Sequence, residues 1–238
     1  VQYCADLYLD ALWNTGADLL TPSQTVVAAA GERTATKVPL ILDAPLPTAA
    51  APASELPTVR VDGACGHKAY QVVAALLQAD RPLRIVVASA KDGLRAKLEK
   101  LGAPESVRLE ILSEWDDGAK YMPSVDLTIG AADSLALVYG VPAILLCCKS
   151  PAEQAFARYC VDELKCAKQE TDPQKAAELA LQLLRTDTCA HMQAQARSVA
   201  AARGAATIAA IRFEHVSARG ITAPGGGVAP AGKFRETA

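Results

Sequence analysis

Three short turns gather the residue types best suited to chemistry. The first is Asp62-Gly63-Ala64-Cys65-Gly66-His67-Lys68, between the extended run PTVRV and the helical run QVVAALLQA. Gly63 and Gly66 let a backbone approach a ligand with no Cβ in the way. A helix that starts there offers free amides and the positive end of its dipole, which suits an oxyanion. Lys68 adds charge and His67 a donor. The spacing is neither GxxxxGK[ST] nor GxGxxG. A glycine turn with solvated His67 and Lys68 accounts for the same residues. The second turn is Gly130-Ala-Ala-Asp133-Ser134. Asp133 or Ser134 can cap the next helix there; alternatively Ser134 and nearby amides hold a phosphate or ribose. The third is Cys148-Lys-Ser-Pro-Ala-Glu153-Gln154. Glu153 and Gln154 either cap a helix and oppose its dipole, or hydrogen-bond sugar or ribose hydroxyls.

No catalytic apparatus accompanies these turns. His67, His191 and His215 are scattered, and no Ser-His-Asp order, paired carboxylates or metal-binding helix stands out. The catalytic residues therefore stay unassigned. Seven cysteines are present, none in a CxxC array. Cys147, Cys160 and Cys166 are the set that could approach a metal, but their spacing fits no zinc pattern. Reduced thiols in a cytosolic protein are the simpler reading, and neither a metal nor a cofactor is expected.

Charge and hydropathy remove further classes. A formal net charge of −2 gives no global basic field for nucleic acid or an anionic membrane. An anionic ligand needs a local device instead. No apolar run approaches about 18 residues, so no membrane-spanning helix is expected. No signal peptide is visible, which points to a cytoplasmic location.

The elements that must position the turns follow from the apolar rhythm. Hydrophobic residues make up 51% of the 238 residues and aromatics only 5%, so the core is built from Ala, Val and Leu. Residues 1–44 read as a partial α/β segment, with apolar runs broken by Asn14-Thr-Gly16 and Gly31. Residues 45–56, rich in Pro and Ala, read as a linker. From Pro57 strands and helices alternate. PTVRV, LRIVVAS, VRLEIL, SVDLTIG and VPAILLCC are the strands. The helices between them are Gly66–Ala79, GLRAKLEKLGA, ADSLALVYG and PAEQAFARYCVDELKCA. Only helices are expected after Thr171, and residues 218–238 read as a disordered tail. Apolar strands between helices predict an α/β fold: a Rossmann-like parallel sheet over residues 57–217, with helices on both faces. Ligands in such sheets bind at the carboxyl ends of the strands, where all three turns lie.

The run DLTIGAADSLALVYGVPAILL followed by PAEQ resembles the C-terminal half of B-type glycosyltransferase folds. The pattern there is a strand, a Gly/Ser turn, a helix, Gly-x-Pro and another apolar strand. The stretch DPQKAAELALQLLRTDTCAHMQAQARSVAAARGAATIAAI is similar to that fold's closing helices. Within that fold the chain most resembles nucleotide-sugar hydrolases of nonulosonic (pseudaminic) acid synthesis and their spore-coat polysaccharide relatives, and it is similar too to the cell-wall transferase branch that shares this C-terminal domain. The resemblance spans about Pro57 to Val216. It implies a UDP-type nucleotide-sugar site with Gly63, Gly66, His67, Lys68, Gly130 and Ser134 at the nucleotide and diphosphate. It also implies Glu153 and Gln154 at ribose or sugar. The sequence departs from that pattern in the second turn, Gly-Ala-Ala-Asp-Ser, and in the short helix LALVYG, which lacks Glu. The family also uses an N-terminal domain for acceptor and catalytic base. The chain opens inside an apolar-patterned run, so an upstream segment or a partner chain is expected to supply it.

Two functional classes remain. One is a glycosyltransferase or nucleotide-sugar hydrolase of surface-glycan or nonulosonic acid synthesis. The other is a binding or scaffold domain that keeps the fold without the chemistry. A dinucleotide oxidoreductase is disfavoured, because GxGxxG is absent and VVAS carries no acid at its end.

Overall fold

The computed structural model describes residues 2–3, 19–21, 35–37, 56–79, 81–88, 90–112, 121–131, 136–137 and 139–201. Three short strands, β1 (Gln2–Tyr3), β2 (Leu19–Thr21) and β3 (Ala35–Lys37), pair in parallel in that order. The Pro/Ala linker, apart from Leu56, and the C-terminal tail lie outside the described residues.

A second sheet carries the candidate site. Its strands are β4 (Thr58–Asp62), β5 (Leu83–Ala88), β6 (Val107–Ile111), β7 (Leu127–Gly130), β8 (Ala143–Leu145) and β9 (Ala167–Gln169). The helices are α1 (His67–Leu76), α2 (Asp92–Leu98), α3 (Pro151–Arg158), α4 (Pro173–Leu183) and α5 (Asp187–Ala201). All six strands are parallel, in the order β6-β5-β4-β7-β8-β9. The chain steps outward from β4 to β6, returns to place β7 beside β4, and then steps the other way. The direction of travel reverses between β4 and β7. The crevice outside the carboxyl ends of those two strands is where doubly wound sheets bind ligands.

Side-chain alternation explains the layers. Val59 and Val61, Leu83, Ile85 and Val87, Leu127 and Ile129, and Ile144 share one face. They form one buried cluster with Ala69, Val72, Val73 and Leu76 of α1 and with Ala176, Ala177, Ala180 and Leu183 of α4. The alanines let α1 and α4 pack closely, as the aromatic-poor composition requires. The opposite face of β4 is polar: Thr58, Arg60 and Asp62 are all buried. The Thr58 amide donates to Asp126 Oδ2 at 2.8 Å, which ties the start of β4 to that of β7. On the same face Arg84 forks onto Glu110 at 3.0 and 2.9 Å. That hydrogen-bonded pairing raises the Arg84 pKa and lowers that of Glu110.

One expectation is corrected here. The helix read through Ala167 stops at Arg158, runs on as a π-helical turn over Tyr159–Glu163, and gives way to β9. Lys165 at φ 55° makes the reversal. β9 is a three-residue edge strand, Ala-Lys-Gln, with two of its residues exposed. It carries neither β-branched residues nor a turn signal, so the preceding helical pattern masked it. The statement that only helices follow Thr171 holds for the described residues, with α4 and α5.

Candidate nucleotide site

The β4–α1 turn is built from tight contacts. Asp62 caps a 3-10 turn over Gly63–Cys65, its Oδ1 accepting from the Ala64 amide at 2.9 Å. A Cβ on Gly63 would stand 2.6 Å from the Ala88 carbonyl oxygen and 2.9 Å from backbone atoms of Ala90. Only a glycine lets the turn lie that close to the end of β5. Gly66 has φ 60° and ψ −120°, the mirror image of a type II turn position, which glycine adopts freely.

α1 then starts without a cap. Gly66 offers no side chain, and the first turn holds no acidic residue. The first intrahelical bond runs from the Tyr70 amide to the Gly66 carbonyl at 3.2 Å. The amides of His67, Lys68 and Ala69 precede that bond, as the leading donors of any helix do. His67 is exposed and stacks on Tyr70, with ring centroids 6.2 Å apart. The Lys68 ammonium donates to the Thr171 carbonyl at 2.8 Å. One functional candidate from the sequence therefore rests on the loop before α4.

The β7 turn meets the first turn directly. A Cβ on Gly130 would run into Asp62 Cβ. The missing side chain is what lets β4 and β7 finish side by side with Asp62 over the junction. The Gly130 carbonyl accepts from the Leu146 amide at 2.8 Å and the Cys147 amide at 3.4 Å, so the segment after β8 closes over the same strand end. Ser134, with Asp133, lies outside the described residues.

The β8–α3 turn is organised differently. Ser150 and Glu153 form a complete capping box. Glu153 Oε2 accepts from the amides of Lys149 and Ser150 at 2.6 and 2.8 Å, and Ser150 Oγ accepts from the Glu153 amide at 3.1 Å. Hydrogen bonds from Ser150 and then Lys149 hold the Glu153 carboxyl below its ordinary range. Gln154 is exposed and its Nε2 reaches the Cys148 carbonyl at 3.5 Å.

The structure thus gathers Gly63, Gly66, His67, Lys68 and Gly130 around the β4/β7 junction, and sets Glu153 and Gln154 on a turn of the same sheet edge. Sequence reasoning missed Asp62, whose signal was an acid at a strand end ahead of a glycine. It also missed that Cys65 and Cys147 join one buried cluster and Cys160 and Cys166 another. A cysteine's type says nothing about its surroundings. Among the described residues no three His, Cys, Asp or Glu side chains group to hold a metal ion. Nor is any described helix long and apolar enough to cross a membrane.

No protein-family model and no curated sequence matches the chain. Solved structures do. MurG of Acinetobacter baumannii superposes with a TM-score of 0.61 at 22% identity, over 83% of this chain and 60% of its own. A UDP-N-acetylglucosamine 2-epimerase structure from Listeria monocytogenes gives 0.59 at 15% identity, over 89% and 65%. S. aureus MnaA, in a co-structure with UDP, gives 0.57 at 13% identity, over 89% and 64%. The architecture is that of the Rossmann-like half of the B-type glycosyltransferase fold. The chain spans less than two thirds of the length of each of these three proteins. The closer kinship to nonulosonic acid hydrolases is not carried by these superpositions, which speak to the B-type architecture alone.

Proposed function

We propose that the carboxyl edge of β4 and β7 binds the diphosphate of a UDP-type nucleotide sugar. The observation that carries this reading is the uncapped start of α1 at the point where strand order reverses. Its leading amides and dipole suit an oxyanion, and Gly63 and Gly66 keep side chains out of its path. Lys68 would add charge by exchanging the Thr171 carbonyl for a phosphate oxygen, with His67 as a further donor. Gly130 and Ser134 would line the nucleotide from the next turn. Glu153 Oε1 and Gln154 would meet ribose or sugar hydroxyls, while Glu153 Oε2 holds its turn. The UDP bound by MnaA, a protein of the same architecture, supports the choice of ligand.

On this reading the chain is the nucleotide-holding part of a cytoplasmic glycosyltransferase or nucleotide-sugar hydrolase, acting in surface-glycan or nonulosonic acid synthesis. Residues 57–217 form the binding domain, and a facing domain or partner chain supplies the acceptor site and catalytic base. The amides and Lys68 would stabilise the departing diphosphate.

A scaffold that keeps the fold without binding nucleotide is the second reading. The engagement of Lys68 with the Thr171 carbonyl favours it. Thermal unfolding with UDP separates the two. At a hundredfold excess over Kd, binding stabilises by about 2.7 kcal/mol, which is roughly 5–10 °C for a chain of this size. UMP should give a smaller shift. A melting temperature unmoved by UDP and by other nucleoside diphosphates would leave the scaffold.

A further inference from the structure

Asp62 ends β4 at the β4/β7 junction, and the nucleotide reading leaves it without a task. The residue is only 7% exposed. Its Oδ1 accepts from the Ala64 amide at 2.9 Å, and no salt bridge among the described residues includes it. Oδ2 accepts no hydrogen bond among those residues, yet it is not sealed from solvent. It lies 3.3 Å from where a Cβ on Gly130 would stand, so it overhangs the end of β7. A carboxylate buried over nine-tenths of its surface thus turns one free oxygen into the crevice beside the uncapped start of α1.

That oxygen opposes a diphosphate that arrives alone. Like charges at close range repel, and more strongly where protein displaces water. Lys68 does not neutralise Asp62, because its ammonium sits on the Thr171 carbonyl at 2.8 Å. His67 is exposed and stacked on Tyr70. The crevice therefore joins helix amides that suit an oxyanion to a carboxylate oxygen that suits a cation. A diphosphate carrying a hard divalent cation satisfies both.

We propose that Asp62 Oδ2 takes a hydrated divalent cation of the Mg²⁺ type, which bridges it to the diphosphate of the nucleotide. This rests on the proposed function, since the cation is held from both sides only when the diphosphate is bound. Mg²⁺ keeps several of its waters and is commonly held by one or two carboxylates together with substrate phosphates. One free oxygen at the strand end meets that demand without the three-residue group that the described residues lack. The α1 amides take the phosphate oxygens that face the helix, and the cation takes those that face β7. Asp62 Oδ1 stays on the Ala64 amide, so the turn that Asp62 caps also orients the ligating oxygen.

The test titrates UDP into the native chain and into Asp62→Asn, each with Mg²⁺ and with EDTA at matched ionic strength. Asparagine keeps an oxygen for the Ala64 amide and removes the charge. Native UDP affinity should rise by roughly tenfold or more with Mg²⁺. Asp62→Asn should bind UDP in EDTA more tightly than the native chain does, and gain little from Mg²⁺. With Mn²⁺ and UDP, the native chain should enhance water-proton relaxation and Asp62→Asn should not. If the urea midpoint shows that Asn does not hold the turn, Asp62→Ser, which also caps, carries the same comparison. Equal native affinity in Mg²⁺ and EDTA, or a full Mg²⁺ gain in the uncharged variant, overturns the cation bridge and leaves the nucleotide reading standing. UDP binding under neither condition overturns both.

Discussion

α1 and α3 start at the same edge of one sheet, and they start in opposite ways. α3 satisfies its leading amides internally, with Ser150 and Glu153 bonded reciprocally. α1 begins after a glycine, with no side-chain cap and no acid in its first turn. A glycine in the cap position forgoes a few tenths of a kcal/mol relative to a side-chain cap. Here that loss coincides with the junction of β4 and β7, where the fold brings ligands. Under the proposed function the first turn is left open for a diphosphate, whereas the third is closed by its own capping box.

The largest way to break the contrast is Gly63→Ala. Backbone atoms surround the added methyl at 2.6–2.9 Å and cannot yield as a flexible side chain would. A loss of about 3 kcal/mol is expected, read as a lowered urea midpoint. Lys68→Glu comes next. It puts an acid in the α1 start and removes the bond to Thr171. UDP affinity should fall by about 2 kcal/mol, roughly 30-fold, by calorimetric titration. An unchanged Kd would take Lys68 and the α1 dipole out of the site. Ser150→Ala should cost about 1 kcal/mol of folding stability and change UDP affinity far less than Lys68→Glu, because Glu153 Oε2 keeps its bonds to the Lys149 and Ser150 amides.

The smallest effect is a pH dependence. The folded Glu153 carboxyl titrates below its ordinary 4.5. Its contribution is therefore present above that value and is lost as pH falls through the lowered folded value. Glu153→Gln should remove this acid-side slope. The difference in urea midpoint between wild type and variant should shrink as the solution is acidified from about pH 6 to pH 3. A constant difference would mean that the carboxylate's charge plays no part in holding the α3 start.

Much of this was legible from residue types. β5, β7 and β8 are apolar-rich runs and β4 alternates apolar with polar residues, patterns that a covered sheet accommodates. Gly63 and Gly66 marked a strand-to-helix turn whose geometry needs them both. Strand order was not legible. Nothing in LTIG says that it pairs with TVRVD rather than with VRLEI, because pairing is decided by packing across the whole sheet. β9 escaped because Ala-Lys-Gln has no strand signature and follows a helix that ends in a π turn. Glu153 read equally well as cap or ligand group, and only its bonds to two amides show the first use. That Cys65 and Cys147 share one buried cluster depends on where two distant turns end.

The bond from the Thr58 amide to Asp126 joins residues 68 apart in the chain. Closing a loop of that length costs about 4 kcal/mol of chain entropy, beyond a constant term. Neighbouring β-α-β units close shorter loops and repay them locally. The β4/β7 junction is thus a strand pairing that neighbouring β-α-β units cannot assemble by themselves. Whatever binds there would act on folding as well as on chemistry: a ligand that grips both strand ends holds shut a loop whose closure joins the two directions of the sheet.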